Sequence, residues 1–284
     1  MIRSGSINLR KIDCLDLLSI LMLFVFAAIF IFPFYICIVT SIKTPLETAT
    51  SVLALPSEIQ WSNFSQAIKI SKFSTAFINS SITTFCSVFL IVVCSSMAGY
   101  VISRNYKQKF FTLIEMLYLG AMMLPFQIIM IPVYRMMKNM NMINSLWGLI
   151  LLLVGTSMPY STFLYIGFVK TVPKELEEAA IVDGYGPYRL YWQIVFPLLK
   201  PITSTVAALH VLWMWNEFTI SLIMLQKDSV RTIPIQQYFF FGQYTVNLNL
   251  GFASAVLSMI PVIIFFLASQ KYIIEGVSAG AVKG

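Results

Sequence analysis

Few residues in this sequence could carry chemistry, and most of them sit among apolar neighbours. The one histidine is His210, and the carboxylates Asp16, Glu115 and Glu217 fall in or beside long apolar runs. A carboxylate at the middle of a bilayer costs roughly 2.5 to 3.5 kcal/mol on insertion scales, so it needs a reason to be there. At helical spacing His210, Trp213, Glu217 and Ser221 share one face, with Asn216 beside them. That face could bind the hydroxyls of a polar solute and stack a ring on Trp213. A His–Glu pair in a membrane could also relay protons. The same groups could instead hydrogen-bond across helices and hold a bundle together. Asn79, Thr83 and Ser87 form a second polar stripe with the same two readings.

Other chemistries are excluded. With a single histidine there is no paired catalytic constellation, so an embedded enzyme is remote. The four cysteines, Cys14, Cys37, Cys86 and Cys94, form no CxxC pair, which leaves neither a disulfide framework nor a metal site. There is no G-x-x-x-x-G-K-[ST] run to cradle a nucleotide's phosphates. The net charge of +7 is not gathered into a basic, aromatic-rich domain of the kind that binds nucleic acid; it lies between apolar runs, where lipid headgroups account for it.

The elements that must position these groups follow from hydropathy. Of the 284 residues 58% are hydrophobic and 11% charged, too few charges to cover a water-soluble surface. The apolar residues come in runs of the length that spans a bilayer. Six helices are expected: about Leu17 to Ile42, Ala76 to Ile102, Phe110 to Tyr134, Ile143 to Phe168, Leu198 to Leu225 and Leu250 to Tyr272. The first is too long for a signal-peptide core and reads as a retained helix. Pro45 and Pro56 argue against regular helix in the loop that follows it, and Pro125 and Pro132 predict kinks in the third span. The larger share of the 19 lysines and arginines falls on the side that holds both termini, which places the N- and C-termini in the cytoplasm. The chain thus divides into an N-terminal segment 1–16, an all-α membrane domain 17–272 and a tail 273–284.

On that topology the longest cytoplasmic loop runs from Lys170 to Lys200. Pro173 can open one short helix carrying Glu175, Glu177 and Glu178 near its positive end; Gly184 permits a sharp turn, and Pro187 can open a second helix. Such a hairpin is either a docking element or an amphipathic loop resting on headgroups. On the opposite side Tyr238, Phe239, Phe240, Phe241 and Tyr244 make the 226–249 loop too apolar for idle solvent exposure. It either dips into the interface or docks a partner protein.

The 170–200 loop resembles the EAA loop of bacterial ABC importer permeases. Glu178, Ala179 and Ala180 are followed at the family's spacing by Gly184, Ile194 and Phe196-Pro197, with Phe196 where leucine is usual. The string from Gln270 to Gly284, Leu124-Pro125-Phe126-Gln127 and Trp215-Asn216-Glu217-Phe218 resemble the smaller, maltose-type permease of carbohydrate importers. The resemblance implies a type I importer bundle paired with a second, homologous permease, two cytoplasmic ABC ATPase subunits and an extracytoplasmic sugar-binding protein. It implies that this chain binds no cofactor and that ATP and magnesium reside on the ATPase. It assigns ATPase coupling to Glu178, Ala179, Ala180, Asp183, Gly184, Ile194 and Pro197, and a tail contact with the ATPase to Gly276, Gly280 and Lys283. Asn79, Thr83, His210, Trp213, Asn216, Glu217 and Ser221 are then candidates for the sugar pathway, and Tyr238, Phe240 and Tyr244 for contact with the binding protein. A permease for a polyol, glycerol phosphate or peptide is the alternative within the class. An ion-driven secondary carrier using Glu217 and His210 is the alternative outside it; such a carrier has no ATPase to dock.

Overall fold

The computed structural model of the chain describes residues 14–243 and 248–281, and among these every regular element is helical. In order they are α1 (Cys14–Ser41), α2 (Pro45–Thr50), α3 (Ser62–Ile70), α4 (Phe73–Arg104), α5 (Lys109–Met122), α6 (Phe126–Asn139) and α7 (Leu146–Val169). Then come α8 (Glu175–Val182), α9 (Pro187–Leu190), a π-helical turn (Tyr191–Val195), α10 (Phe196–Leu198), α11 (Lys200–Trp215), α12 (Thr219–Met224), α13 (Ile233–Gln243) and α14 (Leu248–Ala281). Four of these helices are long and apolar enough to cross a membrane, and six spans result if each of two bent pairs counts as one. The chain forms two compact units: Met1–Ala67 with Thr245–Leu257, and Ile68–Tyr244 with Ser258–Gly284.

In the first unit α1 is apolar on every side, as a lipid-facing helix is. Its last carbonyls have no partner within the helix, and side chains supply one. Asn63 donates to the carbonyls of Ser41 and Lys43, both at 2.9 Å, and Asn249 donates to those of Thr40 and Lys43, also at 2.9 Å. The loop after α1 is more regular than its prolines suggested. Pro45 does not break α2 but starts it, at the position where a missing N–H costs nothing. Thr44 and Glu47 close a capping box around that start.

In the second unit α4 and α7 form the core pair. The buried face of α4 repeats every three or four residues through Ala76, Ser80, Thr83, Ser87, Ile91, Ser95, Gly99 and Ser103. Small side chains on that face let the two backbones approach. At Gly99 the approach is closest: a Cβ there would lie 2.5 Å from Tyr165 Cβ and 3.2 Å from the Ile166 amide nitrogen.

Two expected spans are broken. The third is not a kinked rod but two helices, α5 and α6, meeting at 105°. Pro125 makes the corner because it has no N–H to continue α5 and holds the preceding residue out of the helical region. Pro132, by contrast, stays inside α6. The fifth ends at Trp215 and resumes only at Thr219, and the segment Pro187–Leu198 enters it at 76°.

Two outcomes test this packing. Gly99→Ala should destabilise the protein by about 1–3 kcal/mol, the usual cost of overpacking a tight contact. Gly120→Ala, which meets nothing within 4 Å, should be neutral or stabilising by about 0.5–1 kcal/mol; thermal melts of both in detergent check the pair. The second outcome concerns Glu47, whose carboxylate is held down at about 2 by the Ser57 hydroxyl, then by the Thr44 and Ser57 amides and the Thr44 hydroxyl. A depressed carboxylate keeps its contribution above its ordinary range and loses it only as pH falls through the lowered value. Exchange protection of the Thr44 and Ser57 amides should therefore persist at pH 4 and disappear toward pH 2.

Candidate functional site

The 170–200 segment folds as a short hairpin, and the spacing of its residues is that of a helix C-cap. Gly184 sits in the left-handed region at φ +82°, where a residue without Cβ is favoured. Its amide donates to the Ile181 carbonyl and the Tyr185 amide to the Ala180 carbonyl, each at 3.0 Å, the two bonds of a Schellman motif. The four-residue step from Ala180 to Gly184 is thus what closes α8. Gly186 and Pro187 then start α9, as the sequence predicts.

The hairpin has an inner and an outer surface. Ala180 is buried and Ile194 half-buried in the core of the second unit. Glu178, Ala179, Asp183, Gly184 and Pro197 are exposed. Beside them Val182 is 87% and Tyr188 77% exposed, large apolar side chains standing free on a surface turn. Arg189 lies over the Tyr185 ring at 4.2 Å. Ala180 is therefore not available for close approach by a partner; of the two alanines only Ala179 faces outward.

The sequence assigns Glu177 only to the positive end of a short helix, yet it anchors the hairpin. Glu177 turns inward. Its Oε1 accepts from Arg104 Nε at 2.8 Å and Nη2 at 2.5 Å, and its Oε2 from the Tyr100 hydroxyl at 2.9 Å. Arg104 Nη2 also donates to the Val172 carbonyl at 2.9 Å. The side chains are 12% and 9% exposed. Arg104 escapes a sequence reading because a lone arginine ending an apolar run looks like an ordinary complement to a helix C-terminus.

The expected polar face of the fifth span is divided. His210 is buried, hydrogen-bonded through Nε2 to Ser161 Oγ at 2.6 Å and edge-on to Trp213 at 5.0 Å. Trp213 also packs on Tyr160 at 5.2 Å and faces a cavity of 680 Å³, lined mostly by methionines and aliphatics of α5, α6 and α7. Asn216 ends α11 by donating to the Leu212 carbonyl. Glu217 lies beyond the helix end, so it does not share a helical face with His210 and Trp213. Its carboxylate accepts from the Ile220 amide at 2.6 Å, the Ser221 amide at 2.8 Å and the Ser221 hydroxyl at 2.5 Å, capping α12. A carboxylate at a helix N-terminus meets both free N–H groups and the positive dipole end, which offsets its cost in an apolar setting. His210 and Glu217 each have separate partners, and no relay joins them on these contacts.

Asn79 donates to the Ser229 and Arg231 carbonyls, both at 3.0 Å, so it holds a loop. Thr83 is buried, and its hydroxyl makes no hydrogen bond to a described residue. Tyr238 packs on Phe218 at 5.3 Å and is half exposed. The side chains of Phe240, Gly276 and Gly280 fall outside the described ones, and Tyr244 and Lys283 outside the described residues. Among the described residues no group of three His, Cys, Asp or Glu could hold a metal.

Removing the Glu217 carboxylate should leave two amides unpaired. Glu217→Ala is expected to cost about 1–3 kcal/mol, the range for stranding buried donors. Glu217→Gln keeps an acceptor and should cost less; thermal unfolding in detergent ranks the two.

Residues 91–279 match the family described as binding-protein-dependent transport system inner membrane component. The chain is 36% identical to the probable starch degradation products transport system permease protein AmyC of Thermoanaerobacterium thermosulfurigenes, over 97% of this chain and 100% of the relative. It is 38% identical to the melibiose/raffinose/stachyose import permease protein MelC of Bacillus subtilis (strain 168), over 89% and 91%. In fold it is similar to a chain of a bacterial ABC transporter involved in the import of the acidic polysaccharide alginate, with TM-score 0.78, 21% identity and coverage of 94% and 99%. A multi-pass helical chain with an EAA-spaced hairpin, matched over nearly its whole length by permeases, belongs to the family of inner membrane components of binding-protein-dependent transport systems.

Proposed function

We propose that this chain is the permease subunit of an ATP-driven sugar importer and that the 170–200 hairpin is the seat of an ABC ATPase on the cytoplasmic side. The observation that carries this reading is the hairpin itself. Its inner surface is fastened to the bundle, while on its outer surface Glu178, Ala179, Asp183, Gly184, Val182 and Tyr188 are exposed among the described residues. Exposed apolar side chains rimmed by charge mark a protein interface. In this reading Glu178 pairs with a basic residue of the ATPase cleft, and the Gly184 turn enters it. ATP and magnesium stay on that partner.

The substrate assignment rests on the relatives, whose names state transport of starch degradation products and import of melibiose, raffinose and stachyose. An oligosaccharide is accordingly the substrate class proposed here. A second homologous permease completes the pathway and an extracytoplasmic binding protein delivers the sugar, with Tyr238, Phe240 and Tyr244 in its docking region. Gly276, Gly280 and Lys283 are assigned to the tail contact with the ATPase. Trp213, with Tyr160 against it, is the stacking surface on this chain best placed to touch sugar; Asn79 and Glu217 are occupied in holding backbone.

The test is uptake of labelled oligosaccharides into vesicles holding the assembled complex, with binding protein and ATP. Gly184→Trp places a bulky group on the exposed turn and forces a side chain into a backbone region that disfavours it. Membrane insertion should survive, ATPase association should weaken and uptake should be lost. Normal uptake by that variant would remove the coupling assignment, and uptake of no sugar by the wild type would remove the substrate class.

A further inference from the structure

Helix α4 is fastened at both ends to segments that its own hydrogen bonds do not require. At its C-terminal end Ser96, Tyr100 and Arg104 recur every four residues and so share one face. Tyr100 and Arg104 hold Glu177 of α8, as described above. Ser96 Oγ accepts from the Tyr191 hydroxyl at 2.6 Å, and the Tyr191 ring packs on Tyr100 at 5.5 Å. Both arms of the 170–200 hairpin are therefore tied to one face of α4, the second arm at a π-helical turn. Turns of that kind are departures from regular helix that recur at functional positions.

At the other end Asn79 donates to the Ser229 and Arg231 carbonyls, and Ser80 Oγ accepts from the Ile233 amide at 2.9 Å. Through both sets of contacts α4 runs as a single unbroken helix of 32 residues, about 48 Å long at 1.5 Å per residue. No proline interrupts it. Two neighbouring pairs in this unit, α5 with α6 and α11 with α12, are broken, whereas α7, the core partner of α4, is continuous like α4. A continuous rod transmits a displacement along its axis where a broken one bends at its corner.

We propose that the buried Arg104–Glu177 ion pair is the joint through which movement of the 170–200 hairpin enters α4, and that α4 passes it to the 229–233 loop held by Asn79. This rests on the reading of the hairpin as the ATPase seat. The joint suits that work for physical reasons. Both carboxylate oxygens are engaged, the two side chains are nearly dry, and a charge-assisted fork holds direction as well as distance. The pair ties the hairpin directly to α4, beside the covalent connection at 170–174 that joins it to α7. Glu177 and Arg104 are positioning residues here; neither touches the solute.

The experiment uses the assembled transporter in lipid vesicles with its binding protein and reads uptake and ATP hydrolysis on the same sample. Their ratio does not depend on how much complex assembles. Glu177→Gln keeps the side-chain shape and removes the charge. It should lower sugar moved per ATP hydrolysed about ten-fold, while Glu175→Gln, on the exposed first turn of α8, keeps the wild-type ratio. A ratio within two-fold of wild type for Glu177→Gln would overturn the joint. Should Glu177→Gln yield no complex, Asn79→Ala at the far end of α4 decides the matter. A ratio at least three-fold below wild type there supports the rod, and an unchanged ratio overturns it. Gly184→Trp on the same vesicles separates the two readings. If it transports normally the ATPase seat is wrong, and if it blocks transport while Glu177→Gln keeps its ratio, only the joint is wrong.

Discussion

A chain that crosses hydrocarbon has no water there to satisfy a free backbone N–H or C=O, and at three breaks among the described residues a side chain makes up the loss. Asn63 and Asn249 close the end of α1. Glu217 supplies acceptors where α11 stops and α12 starts. Asn144, itself in the left-handed region, accepts from the amides of Gln226 and Lys227 and donates its own amide to the Met224 carbonyl. The breaks are thus as specified as the helices, and polar residues that look like pathway candidates in the sequence are largely spent on them.

The same constraint shapes the packing of the second unit. Lipid offers little apolar driving force between helices, so close approach and interhelical hydrogen bonds do the holding. Along α4 that takes the form of serine, threonine and glycine on the buried face, with Gly99 against Tyr165 as the tightest point and Ser103 donating to the Ile166 carbonyl. His210 belongs to this system. Buried against Ser161 and Trp213, it orients the tryptophan that faces the 680 Å³ cavity.

The 170–200 hairpin is built by division of labour within a few residues. In α8 the inward positions Glu177 and Ala180 fix the hairpin to the bundle, while Glu178, Ala179 and, just past the helix end, Asp183 are exposed. Glu177 and Glu178 are neighbours of the same type, yet a helix turns them about 100° apart, so one becomes half of a buried ion pair and the other a free surface charge. On the opposite side Lys72 and Arg231 flank Asp228, whose carboxyl the Lys72 hydrogen bond holds below the ordinary range. That keeps the loop next to Asn79 charged and paired.

Hydropathy by itself determined that the chain spans a membrane as helices, because runs of apolar residues leave no soluble alternative. Motif spacing determined the hairpin at Gly184, because a helix cap is a local structure whose glycine and proline requirements are written within a few residues. The sequence also led to three expectations that the tertiary structure changed. Pro45 starts a helix instead of preventing one, since the effect of a proline depends on where the helix begins. Pro125 breaks a span at 105° instead of kinking it, and α11 stops before Glu217, so a face drawn at constant helical pitch did not survive. Which of two adjacent glutamates points inward was decided only by the fold. Arg104 and Glu177 lie far apart in sequence and meet because α4 and α7 pack through Gly99, a long-range contact that no local pattern encodes.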